Sequence, residues 1–154
     1  MEHPILLVET GGTNYLAGNA VLVHCISRVY SNIGYAGVAI FSRIPFLSLG
    51  EGVGDPELDT EGRVSWVEFE KFRLFNVYGP NSGSPGNLKT LPKKLRFQKS
   101  LSALLESFQD KPSLMCGDFN VVRNESDVWS GLSNAEWVDH PACAPQERES
   151  LQEM

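Results

Sequence analysis

The stretch SLMCGDFNVV, Ser113 to Val122, sets a carboxylate, Asp118, two residues before a carboxamide, Asn120, at the close of a short apolar run. A strand carries residues i and i+2 on one face about 6 to 7 Å apart, so the two groups would point the same way. An acid and an amide so placed can hold a hydrated cation or orient a water and take its proton. Asp and Asn are equally the residues of ordinary chain reversals, so this tetrapeptide by itself is also satisfied by a turn. Two further polar groups close apolar runs: Glu9 after ILLV and Tyr78 after FNV. Strand ends are where a sheet offers rigid positions to a ligand, and the joint occurrence of these groups points to a site.

The elements that must carry them are readable from pattern. Ile5 to Val8 reads as a buried strand closed by Glu9 and the turn signal GGTN, and Ala20 to Ile26 and Gly37 to Phe41 are β-rich runs. RVSWVEFE and FRLFNVY, turning at Glu70 and Lys71, read as an antiparallel hairpin of β-branched and aromatic residues. YGPNSGSPGN is a loop hung from the end of its second strand. Phe97, Leu101, Leu104, Leu105 and Phe108 recur at helical spacing, predicting an amphipathic helix from about Lys93 to Gln109 with Pro92 near its start. That helix leads into the strand at Ser113, and a last helix begins at Pro145. Strands dominate the first half and strand–helix–strand order the second, so the fold class is mixed α/β.

With 154 residues, 42% of them hydrophobic, the chain can bury the core of one domain. A net charge of −6 and an isoelectric point near 5.0 exclude a surface that is basic throughout, so any polyanion site is local. Cys25, Cys116 and Cys143 are odd in number and lack metal-type spacing, which predicts reduced thiols in an intracellular protein. The N-terminus has no signal-peptide pattern and no run reaches the length of a membrane span, so no membrane partner is expected.

Five blocks carry a resemblance: GYAGVAIFSR (Gly34 to Arg43), GVGDPELDTEGRV (Gly52 to Val64), NVYGPNSG (Asn76 to Gly83), CGDFNV (Cys116 to Val121) and APQER (Ala144 to Arg148). In this order they resemble the exonuclease III-type apurinic/apyrimidinic (AP) endonucleases of the endonuclease/exonuclease/phosphatase superfamily, closely from about Gly34 to Arg148. GDFN is shared across the superfamily, whereas EGRV, YGPNSG and PQER are specific. The resemblance implies a four-layered α/β sandwich, two central sheets flanked by helices, of which residues 1–154 form a partial domain. It implies a nuclease that hydrolyses the phosphodiester 5′ of an abasic site in double-stranded DNA, in base-excision repair, with Mg²⁺ as the cofactor and Mn²⁺ able to replace it. Tyr78, Asp118 and Asn120 fall on catalytic positions, Glu9, Asp118 and Asn120 on metal-binding ones, and Gly34, Tyr35 and Asn81 on substrate-binding ones. Asp118 activates the attacking water, Asn120 orients it, Tyr78 contacts the phosphate, and Asn81 helps hold the loop. A nuclear location follows for a eukaryotic source and a cytoplasmic one otherwise. His140 stands where the family carries an Asn that faces the substrate.

Each assignment has a plainer alternative in the residues alone. Tyr78 could be a strand-end tyrosine with its ring in the core and its hydroxyl in water, and Glu9 a solvated loop carboxylate. The basic run Lys89, Lys93, Lys94, Arg96 and Lys99 reads as the solvated face of the helix rather than as a DNA contact. The family's opening SWNxxG-like block and closing SDH-like block, with its catalytic His, are not found in these 154 residues. The chain therefore reads as truncated at both ends. Two other functions stay open: an inactive binding or decoy module, and a superfamily phosphodiesterase acting on a phospholipid, inositol phosphate or RNA tail.

Overall fold

Strand β3 (Val38–Ser42) lies between two antiparallel neighbours, β1 (Leu6–Thr10) and β2 (His24–Arg28), in a sheet of order β1-β3-β2. The computed structural model describes residues 6–10, 24–28, 36–42, 44–128 and 137–154. These fall into two compact units, one built from residues 1–78 and 105–118 and the other from residues 79–104 and 119–154.

In the first unit all five residues of β3 are buried. That burial on both faces explains the unbroken run VAIF where an exposed strand would alternate. A second sheet has the order β4-β5-β6-β7, with β4 at Ser48–Glu51, β5 at Val64–Glu68, β6 at Arg73–Tyr78 and β7 at Ser113–Asp118. The first three strands run antiparallel, and β6 and β7 are parallel. The expected hairpin is the β5–β6 pair, its turn closed by Phe69 N–H donating to the Phe72 carbonyl at 2.8 Å.

The two sheets pack face to face, β3 against β5 and β6, and β1 against β6 and β7. Ile40, Val67, Phe69 and Leu74 form the core between them, flanked by Phe46, Phe72 and Cys116. The other face of the second sheet carries Trp66 and Phe75, covered by Phe108, whose ring meets Trp66 edge-on at 4.9 Å. Arg73 fixes the entry into β7: its guanidinium forks onto the Asp110 carboxylate at 2.6 and 3.1 Å and lies 4.4 Å from the Phe108 ring centroid. Two sheets and accompanying helices are the α/β class expected from the sequence.

The second unit contains the loop after β6, helix α1 (Leu91–Glu106) up to Leu104, and helix α2 (Pro145–Gln152). Lys94, Phe97, Gln98 and Leu101 are the buried positions of α1, and their i, i+3, i+4, i+7 spacing makes them one helical stripe. The helix starts two residues earlier and stops three residues earlier than its periodicity predicts. Phe108 keeps the spacing but lies beyond the helix, where it joins the aromatic cluster on the sheet.

Candidate active site

The first unit supplies a pair of strand ends. Tyr78 and Asp118 are the last residues of β6 and β7 and register partners across the parallel pair. Partners on one rung share a face of the sheet, with strands about 4.8 Å apart. Two residues back on that face, fully buried Asn76 donates from Nδ2 to the Ala39 carbonyl at 2.9 Å, tying the second sheet to the first. Ala39 is the register partner of Glu9 on β1, and β1 packs on β6 and β7. Glu9, Tyr78 and Asp118 therefore sit on three strands packed together, with the Asn76 tie at the rung that carries Glu9.

Gly117 explains why the apolar run stops where it does. Its φ of 122° is a conformation that L side chains rarely adopt, and a Cβ there would lie 2.1 Å from the Val77 carbonyl oxygen and 2.9 Å from Asn76 Oδ1. Only glycine lets β7 approach β6 this closely just before it presents Asp118.

Tyr78 is held by Arg63. The Tyr78 N–H donates to the Arg63 carbonyl at 2.8 Å, and Arg63 Nη1 donates to the Tyr78 carbonyl at 3.1 Å. The guanidinium lies 4.9 Å from the Tyr78 ring centroid, and its Nε donates to Glu61 Oε2 at 2.7 Å. Cation–π contact and a charge-assisted hydrogen bond together fix this strand end.

Strand β7 ends at Asp118, so the two-residue alternation that would set Asp118 and Asn120 on one face does not extend to Asn120. Asn120 instead has φ 50°, the left-handed region that Asn enters more readily than other non-glycine residues. In the second unit its Nδ2 donates to the Gly79 carbonyl at 2.9 Å, and its own carbonyl accepts from Lys94 Nζ. Gly79 must be glycine for close approach, because a Cβ would meet the Phe119 carbonyl oxygen at 2.5 Å. Asn81 accepts the Gly83 N–H on Oδ1 at 2.7 Å, and its carbonyl accepts from Thr90 Oγ1 at 2.9 Å, so it braces the loop after β6.

Gly34 and Tyr35, expected at the substrate, lie outside the described residues, as does the Glu9 side chain. The basic run divides: Lys89, Arg96 and Lys99 are exposed as expected, but Lys94 is fully buried. Its position on the stripe with Phe97 and Leu101 is the signal that marks it as inward-facing. Lys94 Nζ meets Glu147 Oε1 at 2.6 Å, and Glu147 is equally buried. Arg63, Asn76, Lys94 and Glu147 are the supporting residues that motif reading left without a role. Burial raises the Cys116 and Cys143 thiols, at Cys143 with help from the Glu147 charge, so neither is set up as a nucleophile. His140 Nδ1 faces the Pro141 carbonyl at 2.9 Å. Among the described residues no helix is long and apolar enough to cross a membrane.

The family model described as Endonuclease/Exonuclease/phosphatase family matches residues 4–148. The chain is 36% identical over 122 residues to Recombination repair protein 1 of Drosophila melanogaster, covering 79% of this chain and 17% of that protein. It is 36% identical over 119 residues to an exodeoxyribonuclease of Bacillus subtilis, covering 77% and 45%. Against the DNA repair nuclease APEX1 of Danio rerio it is 32% identical over 122 residues, covering 79% and 38%. The fold is that of an AP endonuclease from Archaeoglobus fulgidus, with a TM-score of 0.73 at 20% identity over 96% of this chain and 58% of that one. A Neisseria 3′ phosphatase, NExo, bound to a product DNA hairpin, aligns with a TM-score of 0.74 at 19% identity, covering 97% and 58%. The chain spans less than half the length of each of these three curated relatives.

Proposed function

The chain belongs to the endonuclease/exonuclease/phosphatase family, and from that premise we propose that it carries the core of a nuclease that cuts the DNA backbone on the 5′ side of an abasic site. The observation that carries the reading is the Tyr78–Asp118 rung at the ends of two parallel strands, with Gly117 shaped to allow it. Asp118 is exposed there, so its carboxylate can reach a substrate water.

In this reading water attacks phosphorus, a P–O bond forms to it, and the P–O3′ bond breaks. The Asp118 carboxylate takes the proton of the attacking water as general base. The Asn120 amide, with Nδ2 turned to Gly79, offers Oδ1 to orient that water. Tyr78 contacts the phosphate, and the 3′-oxygen leaves protonated from solvent. Hydrolysis of this kind depends chiefly on positioning and on countering charge at phosphorus. Glu9, Asp118 and Asn120 offer carboxylate and carbonyl oxygens, the donors that suit a hard divalent cation such as Mg²⁺. Among the described residues no group of three or more His, Cys, Asp or Glu converges, so the proposed set needs Glu9 and the amide oxygen. When bound, the cation would supply positive charge to the phosphate. Double-stranded DNA with an abasic site is the proposed partner, met inside the cell, in the nucleus of a eukaryote.

The test is a nicking assay on a duplex with one abasic site. Nicking with Mg²⁺ that is abolished by EDTA and reduced about 100- to 10,000-fold by Asp118→Ala is the expected result. A folded sample that leaves the duplex intact, or nicking that survives Asp118→Ala, overturns the reading.

A further inference from the structure

Lys94 and Glu147 are both fully buried and pair at 2.6 Å within the second unit. Burying two charges costs several kcal/mol per ion, on the order recovered only when the remaining donors and acceptors are also satisfied. Here they are directed to specific places. Glu147 Oε2 accepts the Ala144 N–H at 3.2 Å, and the Gln98 amide donates to the Glu147 carbonyl at 3.3 Å. Lys94 Nζ, with three donors, gives one to the carbonyl of Asn120 and lies 2.6 Å from Glu147 Oε1 as an ion pair.

Stability alone does not call for this arrangement, because well-packed apolar side chains in place of a buried ion pair are often as stable or more so. What an apolar pair could not do is hold the Asn120 carbonyl. Asn120 is gripped at both ends, its backbone carbonyl by Lys94 and its side-chain amide by the Gly79 carbonyl, while its φ stands at 50°. A residue in that region persists when its surroundings over-determine it.

We infer that Lys94 is a positioning residue for Asn120, and that Glu147 orients it. The inference rests on the proposed role of Asn120 in the reaction, but the grip itself can be read without the reaction. Lys94 touches no substrate atom; it fixes the backbone from which the amide is presented.

The test uses the full chain with Lys94→Met and Glu147→Leu combined, which removes both charges and keeps the volume. Thermal unfolding reports the fold, the Asn120 side-chain amide in a ¹⁵N spectrum reports the grip, and nicking of the abasic duplex reports the chemistry. The expected result is a folded variant in which exchange of that amide speeds up about 10-fold or more, and kcat falls about 10- to 100-fold with KM little changed. A folded variant with the Asn120 amide as protected as in the parent overturns the inference. If the double variant does not fold, Glu147→Gln alone decides, with faster Asn120 amide exchange in support and unchanged exchange against. Absence of nicking in the parent would overturn the proposed reaction while the amide exchange still decides the role of Lys94.

Discussion

The strand ends of β6 and β7 in the first unit and the Asn120 turn in the second unit are built by different physics. Tyr78 and Asp118 are set by backbone register, a glycine and one arginine, so their positions follow from how strands pair. Asn120 is set by side chains: a buried ammonium on its carbonyl and a backbone oxygen on its amide. Register tolerates exchange of most side chains as long as the rung survives. A buried charge pair tolerates very little, because each member leaves the other stranded.

That difference can be broken from the second unit first. Lys94→Met alone leaves Glu147 buried without its cation and should cost about 3–5 kcal/mol of stability by denaturant unfolding, far more than the double replacement. A double variant that costs the sum of the two single replacements would mean that the pair is not coupled. On the sheet side the largest effect belongs to Gly117→Ala, where the added methyl meets the Val77 carbonyl. Backbone strain and displacement together predict a loss of about 2–4 kcal/mol, checked the same way, with nicking lost as well. Removing the Arg63 clamp by Arg63→Leu should destabilise by about 1–3 kcal/mol through the lost hydrogen bonds to Tyr78 and Glu61. Tyr78→Phe sharpens the comparison from the other direction. It keeps register and clamp, so unfolding should move by less than about 1 kcal/mol while nicking falls.

The smallest effect is at the far end of the same strands. Lys111, then Ser48, holds the Glu68 carboxyl below its ordinary 4.5, and Arg73 holds Asp110 below its ordinary 3.8. Depressed carboxylates stabilise the fold above their unfolded values, and that contribution is lost as pH falls through the lowered ones. Acid unfolding of Glu68→Gln combined with Asp110→Asn should therefore show a shallower pH dependence below about 4.5, with the slope near neutrality unchanged and the stability there slightly lower.

Much of the sheet half was legible because its information is local. The β5–β6 hairpin, the loop after Tyr78 and the strand from Ser113 to Asp118 follow from alternation and turn residues. Strand β4 was not legible: SLGE has no β-branched or aromatic residue, and pairing with β5 forms it. Gly50 serves that pairing, since a Cβ there would meet the Trp66 indole at 2.4 Å. Asp118 and Asn120 were readable as a pair but not as a strand alternation, because Asn120 has already left the strand. Lys94 was the hardest residue. Within a basic run a lysine reads as solvated; its place on the stripe with Phe97 and Leu101 points inward, but its partner, a glutamate 53 positions away, is not readable from the sequence.

Tyr78 and Asp118 share a rung yet stand 40 positions apart, joined through the loop and α1. An adjacent hairpin such as β5–β6 can close in about 1–10 μs, but a parallel pair must wait for its whole crossover to be gathered, at a loop-closure cost that local pairing avoids. Refolding therefore delivers the hairpin before it delivers a competent rung. In a refolding time course β-structure should return ahead of the proposed nicking, which would make that activity a clock for the last long-range closure of the chain.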